Sequence, residues 1–304
     1  MGKPHFSPEL GGEESVMAYE RRRYPDAFAF LADCEEDLMR FEVEHSLLLG
    51  LADNLVKDLL CSDDGTFFGS VWRDGHFEAA FLRSGRGRAM VCSQMSEDCA
   101  RWLSANLGEK IDEVQGLLPS VQVFAEAFAP RRSLGLNINM YQGLYRIDEV
   151  DGHYPFEGEG MVSGRGLPQD LLQTFAEQFL VDCFPSLRLS ASARAREIIE
   201  RHLKQDALFA WRNAESEIVA IAARSRQSAN GATISLVYTP EAHRRRGYAG
   251  RLVAALSRKI LSDGKRFCTL YTDLRNPTSN SVYRKVGFRK VAESWHCSFW
   301  ERMD

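Results

Sequence analysis

The chain has no apolar run long enough to cross a membrane: stretches such as SLLLGLA fall far short of the roughly 20 residues a spanning helix needs. The N-terminal MGKPHFSPELGGEESVMAYERRRYP lacks the apolar core of a secretion signal and reads as a loose leader. Phe6 stands where the Met-Gly lipidation pattern requires Ser or Thr, which argues against a myristoyl anchor. The seven cysteines are odd in number and include no C-x-x-C pair, and Cys92 and Cys99 are too far apart for a metal knuckle. Reduced thiols in the cytoplasm, with no metal and no disulfide framework, are the expectation. There is no basic excess either. A formal net charge of −4 gives no electrostatic reason for nucleic acid as a partner.

What is present is an ordinary globular composition, 44% hydrophobic over 304 residues, about twice the usual length of one domain. From residue 26 the pattern predicts two helices interrupted near Gly50, then strands at 66–72, 77–82 and 89–92. A helix, a strand, a helix and a long strand follow, ending at 147. Residues 151–158 lie in an acidic stretch with Gly and Pro turn signals, as a linker does. From about 160 the same order of elements begins again. The expected organisation is a leader at 1–25, one domain at 26–150, the linker, and a second domain at 159–304. Each domain is α/β, a mixed and mostly antiparallel sheet flanked by helices.

The stretch SLVYTPEAHRRRGYAGR, Ser235 to Arg251, stands apart. A strand ending at Thr239 passes through an arginine-rich turn into a helix that opens at Gly247. That arrangement aims several backbone N–H groups and the positive end of a helix dipole at one point. An anion belongs there, and phosphate fits best.

Together with NPTSNSVYRKVGF at 276–288, this stretch resembles the GNAT superfamily of acyl-CoA-dependent N-acyltransferases. Arg244, Gly247 and Ala249 match the Arg/Gln-x-x-Gly-x-Gly/Ala motif of that family, and Asn276, Ser279 and Tyr283 match its downstream segment in order and spacing. The motifs cover about 233–290. Element order alone extends the likeness to the rest, in the manner of tandem GNAT proteins with one degenerate half. The turn around SGRGR in the first half carries no such motif, and Arg83, Arg86 and Arg88 there read as a solvated hairpin. Trp72, Phe77, Phe81, Trp102, Phe124 and Phe128 read as core.

The resemblance implies acetyl-CoA as co-substrate and a small-molecule or peptide amine as acceptor, joined by direct attack in a ternary complex. It assigns the pyrophosphate to the run Arg244, Arg245, Arg246, Gly247, Tyr248, Ala249 and Gly250, with Gly247 allowing close backbone approach. Backbone groups of Leu236, Val237 and Tyr238 would hold pantetheine and polarise the thioester, Asn276 would cap the following helix or serve the cofactor, Ser279 would serve the cofactor or compete with Asn280 for the cap, and Tyr283 would act as general acid at the leaving sulfur, with Asn276 beside it. No cysteine beside a His and acid pair calls for an acyl-enzyme. For the general base the residues offer Asp273, Glu293, His296 or a water chain without choosing. A non-catalytic acyl-CoA-binding module and a transferase using another acyl donor stay open, as does the oligomeric state, since the end strand near His296 to Trp300 is free to pair with a partner or with the first domain.

Overall fold

The computed structural model describes residues 18–60, 62–85, 89–150, 152 and 160–302. The first half runs β1 (Tyr19–Tyr24), α1 (Ala27–Met39), α2 (Ser46–Val56), β2 (Phe67–Arg73), β3 (His76–Arg83), β4 (Met90–Cys92), α3 (Glu97–Asn106), β5 (Glu113–Leu117), α4 (Ser120–Arg131) and β6 (Leu134–Ile147). The second repeats that order as β7 (Met161–Ser163), α5 (Gln169–Cys183), α6 (Ala191–Lys204), β8 (Leu208–Arg212), β9 (Ile218–Gln227), β10 (Gly231–Tyr238), α7 (Tyr248–Ser262), β11 (Phe267–Asp273), α8 (Pro277–Val286) and β12 (Arg289–Glu301). β1 lies inside the stretch read as leader. Its sequence YERRRY has no apolar face to signal a strand, and it forms a short charged edge in which Arg22 pairs with Glu20 and Asp33. Residues 1–17 of the leader, and 151 and 153–159 around the expected linker, lie outside the described residues, as do Arg86 and Arg88.

The strands join in one sheet, ordered β1-β2-β3-β4-β5-β12-β6-β11-β10-β9-β8-β7. The two halves exchange their last strands: β12 pairs with β5, β6 pairs with β11, and the two lie side by side. The end strand expected to be exposed is therefore covered along both edges from Ser294 to Ser298, with Ser294 flanked by Leu117 and Gln142. Of the two pairings left open for this strand, the structure takes the one with the first half.

In the second half, α7 and α8 cover one face of the sheet over Ala220, Ala222 and Leu270, and α5 and α6 cover the other over Ile221, Ala223, Leu236 and Tyr238. Helix α2 of the first half reaches across onto β9. Asn54 Nδ2 donates to the Ser225 carbonyl at 3.4 Å, and the buried Glu42 accepts from both the backbone N–H and the side chain of Asn230, at 2.7 and 2.8 Å. Gly50 does not break the helical pattern as expected; the break falls at 40–45, and Gly50 sits inside α2. It is there because a Cβ would come within 2.7 Å of Arg226 Cβ on β9. Gly50→Ala is expected to destabilise the protein in urea unfolding. Overpacking costs about 1–3 kcal/mol, more than the roughly 0.8–1 kcal/mol an alanine adds to a helix.

Candidate functional site

β10 and β11 are parallel neighbours only from Gly231↔Phe267 to Thr233↔Thr269, after which they part. On its other edge β10 pairs with β9 at Ser235↔Ala223 and next at Tyr238↔Ile221, so Leu236 and Val237 have no ladder partner on either side. Leu236 holds φ at 53°, a left-handed conformation that costs a branched residue about 1–3 kcal/mol. Its side chain and that of Tyr238 point into the α5–α6 core, while Val237 packs towards α7. Backbone groups are what this bulge presents to the opening between the strands, in keeping with the expectation that side-chain identity matters little here. Backbone polar groups held in an interior need a partner, and a bound amide chain would supply one.

At the outer end of β10, nine residues (239–247) lead into α7. Gly247, at φ 80°, is the N-cap, no side chain caps the helix, and no acid occupies its first turn. The N–H groups of Tyr248, Ala249 and Gly250 are the unpaired donors of a helix start. A Cβ on Gly247 would meet nothing within 4 Å, so the approach is open. Of the three arginines expected to meet the phosphates, Arg244 is already engaged. Its Nη2 donates to Asp182 Oδ2 at 2.8 Å and its Nε to the Thr239 carbonyl at 3.0 Å, and the hydrogen bond to Asp182 raises its pKa. Arg245 and Arg246 are exposed and have no ion pair among the described residues; Arg245 also has φ at 63°.

Tyr283 is buried on α8, edge-on to Phe288 at 6.2 Å, and its phenol makes no hydrogen bond among the described residues. Burial raises its pKa, with a smaller contribution from Cys183 at the end of α5. Cys183 is exposed as a residue, and desolvation around its sulfur together with Asp182 and Asp273 pushes its thiol up to about 11. Asn276 does not reach inward: its side chain caps α8 by accepting from Ser279 N at 3.0 Å, which gives it the structural one of its two expected roles and engages the Ser279 N–H. The organising side chain is Asn280, which the sequence offered only as a rival for the helix cap. Its Nδ2 donates to the carbonyls of Asp273 and Asn276 at 2.9 and 2.7 Å, and its Oδ1 accepts from Tyr145 of β6 at 3.2 Å. A residue of the first half thus braces the turn that carries Tyr283. The base candidates are occupied: Asp273 with Arg275, Glu293 with Lys290, and His296 with Glu113 at 3.0 Å on the β5 side. A cavity of about 430 Å³ lies elsewhere, between Phe128, Phe299 and Arg132 at the base of the first half.

Residues 211–298 match the family model described as FR47-like protein. The whole chain superposes on solved structures of low identity. A Drosophila protein gives a TM-score of 0.66 at 14% identity over 93% of this chain and 99% of that one. A GCN5-related N-acetyltransferase from Sphaerobacter thermophilus gives 0.55 at 16%, over 94% and 96%. A tandem GNAT protein from the clavulanic acid biosynthesis pathway gives 0.51 at 12%, over 94% and 100%. The chain has the tandem GNAT fold. No curated protein sequence matches it.

Within this tandem GNAT fold the first half is closed where the second is open. Four residues (93–96), not nine, join β4 to α3, whose N-terminus is capped by Ser96 Oγ at 3.2 Å from Cys99 N and carries Glu97 and Asp98 in its first turn. The backbone beyond β4 is satisfied by protein: Gln94 N donates to His45 Nε2 at 3.3 Å and Met95 N to Ser120 Oγ at 3.0 Å. Among the described residues there is no cluster of three metal-ligating side chains and no helix long and apolar enough to cross a membrane.

His45 is held neutral, its pKa lowered by burial, and His202 on α6 is lowered to about 3 by burial and by Arg201 and Arg226. The unfolded chain takes up protons below about pH 6.5 that the fold refuses, so stability falls as pH falls. At about 1.36 kcal/mol per pH unit, His202 alone removes about 2 kcal/mol between pH 6.5 and 5. The melting temperature is expected to drop between pH 7.5 and 5.0, and His202→Gln to flatten that dependence.

Proposed function

We propose that the protein is an N-acetyltransferase that moves an acetyl group from acetyl-CoA to a primary amine, by direct attack in a ternary complex at the second-half cleft. The observation that carries this reading is the contrast between the halves. The α7 start is uncapped, free of acids and fronted by left-handed Gly247, whereas the α3 start is capped and acidic. The unpaired backbone at Leu236 and Val237 fits an amide-bearing arm, and the α7 N–H groups, with Arg245 and Arg246, fit a pyrophosphate.

Bound acetyl-CoA would supply a thioester whose carbonyl carbon takes the amine nitrogen while the C–S bond breaks; the ammonium gives up two protons, one to solvent and one retained by the departing sulfur. The phenol of Tyr283, kept protonated by burial, offers its hydrogen to that sulfur. The departing thiolate, whose thiol titrates near 8.5, is a weaker base than this phenolate, so Tyr283 shares its proton with the leaving group instead of surrendering it. Cys183 stays a thiol, which favours direct transfer over an acyl-enzyme. Free-thiol release from acetyl-CoA over a panel of primary amines tests the proposal. Turnover with any amine supports it; binding of acetyl-CoA without turnover on the whole panel would leave an acyl-CoA-binding module.

A further inference from the structure

Arg226 has no role in the chemistry above. A β-bulge at Ser225 sets Arg224 opposite Ile234 and Arg226 opposite Thr233, which turns the two arginines to different faces. Arg224 lies 3.8 Å from Asp263 at the end of α7. Arg226 instead runs beneath Gly50 of α2, beside His202 of α6. Its Nε is buried and unpartnered, and the guanidinium has no ion pair among the described residues. The charged or titratable groups that act on it are Tyr271, Arg201 and His202, none a carboxylate, and burial pulls its pKa down to about 10. Arg226 is half-buried, and a cation desolvated at Nε without a counter-ion is costly, because the hydration lost there is not replaced.

Tyr271 on β11 completes the picture. Its phenol makes no hydrogen bond among the described residues, and besides Arg226 it senses only Glu44 of the α1–α2 connection. Arg226 pairs with Thr233, which pairs with Thr269, two residues before Tyr271. From strand spacing their Cα atoms are about 12 Å apart, close enough for two long side chains to close on one small anion. They flank the point where β10 and β11 part, the inner end of the cleft that would hold the thioester, roofed by α2.

We propose that Arg226 and Tyr271 form a carboxylate subsite for the acceptor, which is then an amino acid or another short amine-bearing acid. The inference rests on the acetyl-transfer reading above. A carboxylate held there leaves an amine two or three bonds from the carboxyl carbon at the mouth of the thioester site, and α2 makes the first half part of the acceptor pocket.

Titration calorimetry with CoA present, using N-acetylglycine and N-acetylphenylalanine beside their methyl amides, tests it. At least one acid is expected to bind the wild type at least tenfold more tightly than its amide. Arg226→Gln is expected to erase that difference while leaving CoA affinity within twofold, and Tyr271→Phe to weaken the acid by about threefold. Acid and amide binding alike, neither acid binding, or an Arg226→Gln protein that still prefers the acid would overturn the subsite. CoA affinity, read in the same cell, reports separately on the cofactor reading. Should Arg226→Gln fail to fold, Arg226→Lys and Tyr271→Phe decide: an unchanged preference for the acid in both rules the subsite out.

Discussion

Gly247→Glu is expected to raise the Kd for acetyl-CoA by at least a hundredfold without unfolding the protein. At φ 80° any L-residue is strained by about 1–2 kcal/mol, and a glutamate adds a negative charge where the α7 N–H groups would receive the pyrophosphate. Because a side chain there meets nothing within 4 Å, the fold should tolerate it. Gly247→Ala separates the two effects: strain without charge is carried by the free and the bound protein alike, so it should appear in the melting temperature while the Kd moves by less than about tenfold. Calorimetric titration of acetyl-CoA into the three proteins, with melting temperatures alongside, measures both. An unchanged Kd in the glutamate variant would remove the phosphate assignment and with it the cofactor.

Tyr283→Phe should leave acetyl-CoA affinity within about threefold and lower kcat by about a hundredfold, the lower end of what a positioned proton donor contributes. Loss of stability is not expected to confound the result, because the phenol has no hydrogen-bond partner among the described residues to lose. The pH profile gives a second check. Burial raises the Tyr283 pKa, so the phenol does not ionise below pH 10, and the wild-type rate should climb with pH as the acceptor ammonium deprotonates, with no alkaline fall from this residue. Equal losses in kcat and in acetyl-CoA binding would make Tyr283 a packing residue.

The parts of this molecule that were legible in sequence were those whose signal is local. Hydrophobic periodicity marks α5 at Gln169–Cys183, and glycine with a preceding arginine run marks the α7 start at Gly247. β1 escaped because YERRRY is an edge strand without an apolar face. The strand exchange escaped because pairing of β6 with β11 and of β12 with β5 is a property of the sheet, invisible in either strand alone. The bracing role of Asn280, and Arg226 altogether, escaped for a related reason: each is an ordinary polar residue whose meaning comes from distant elements, Tyr145 for one and Gly50 with Tyr271 for the other. Asn276 showed the opposite hazard, a motif position whose side chain is taken up by the helix cap.

The exchanged strands also bear on how the chain is made. β12 is the last described element to leave the ribosome, and it is the one inserted between β5 and β6 at the centre of the sheet. Until then β5 has an open edge on one side, and the first half cannot close while the second is still in the exit tunnel. Contacts such as Trp295↔Gly116 join residues far apart in the chain, the kind of pairing that slows folding and leaves edges exposed to other nascent chains. Cutting the chain between the repeats would therefore yield not two small proteins but two sheets each missing a strand. The half with the open cleft and the half with the sealed one share a single sheet, so each is expected to need the other in order to fold.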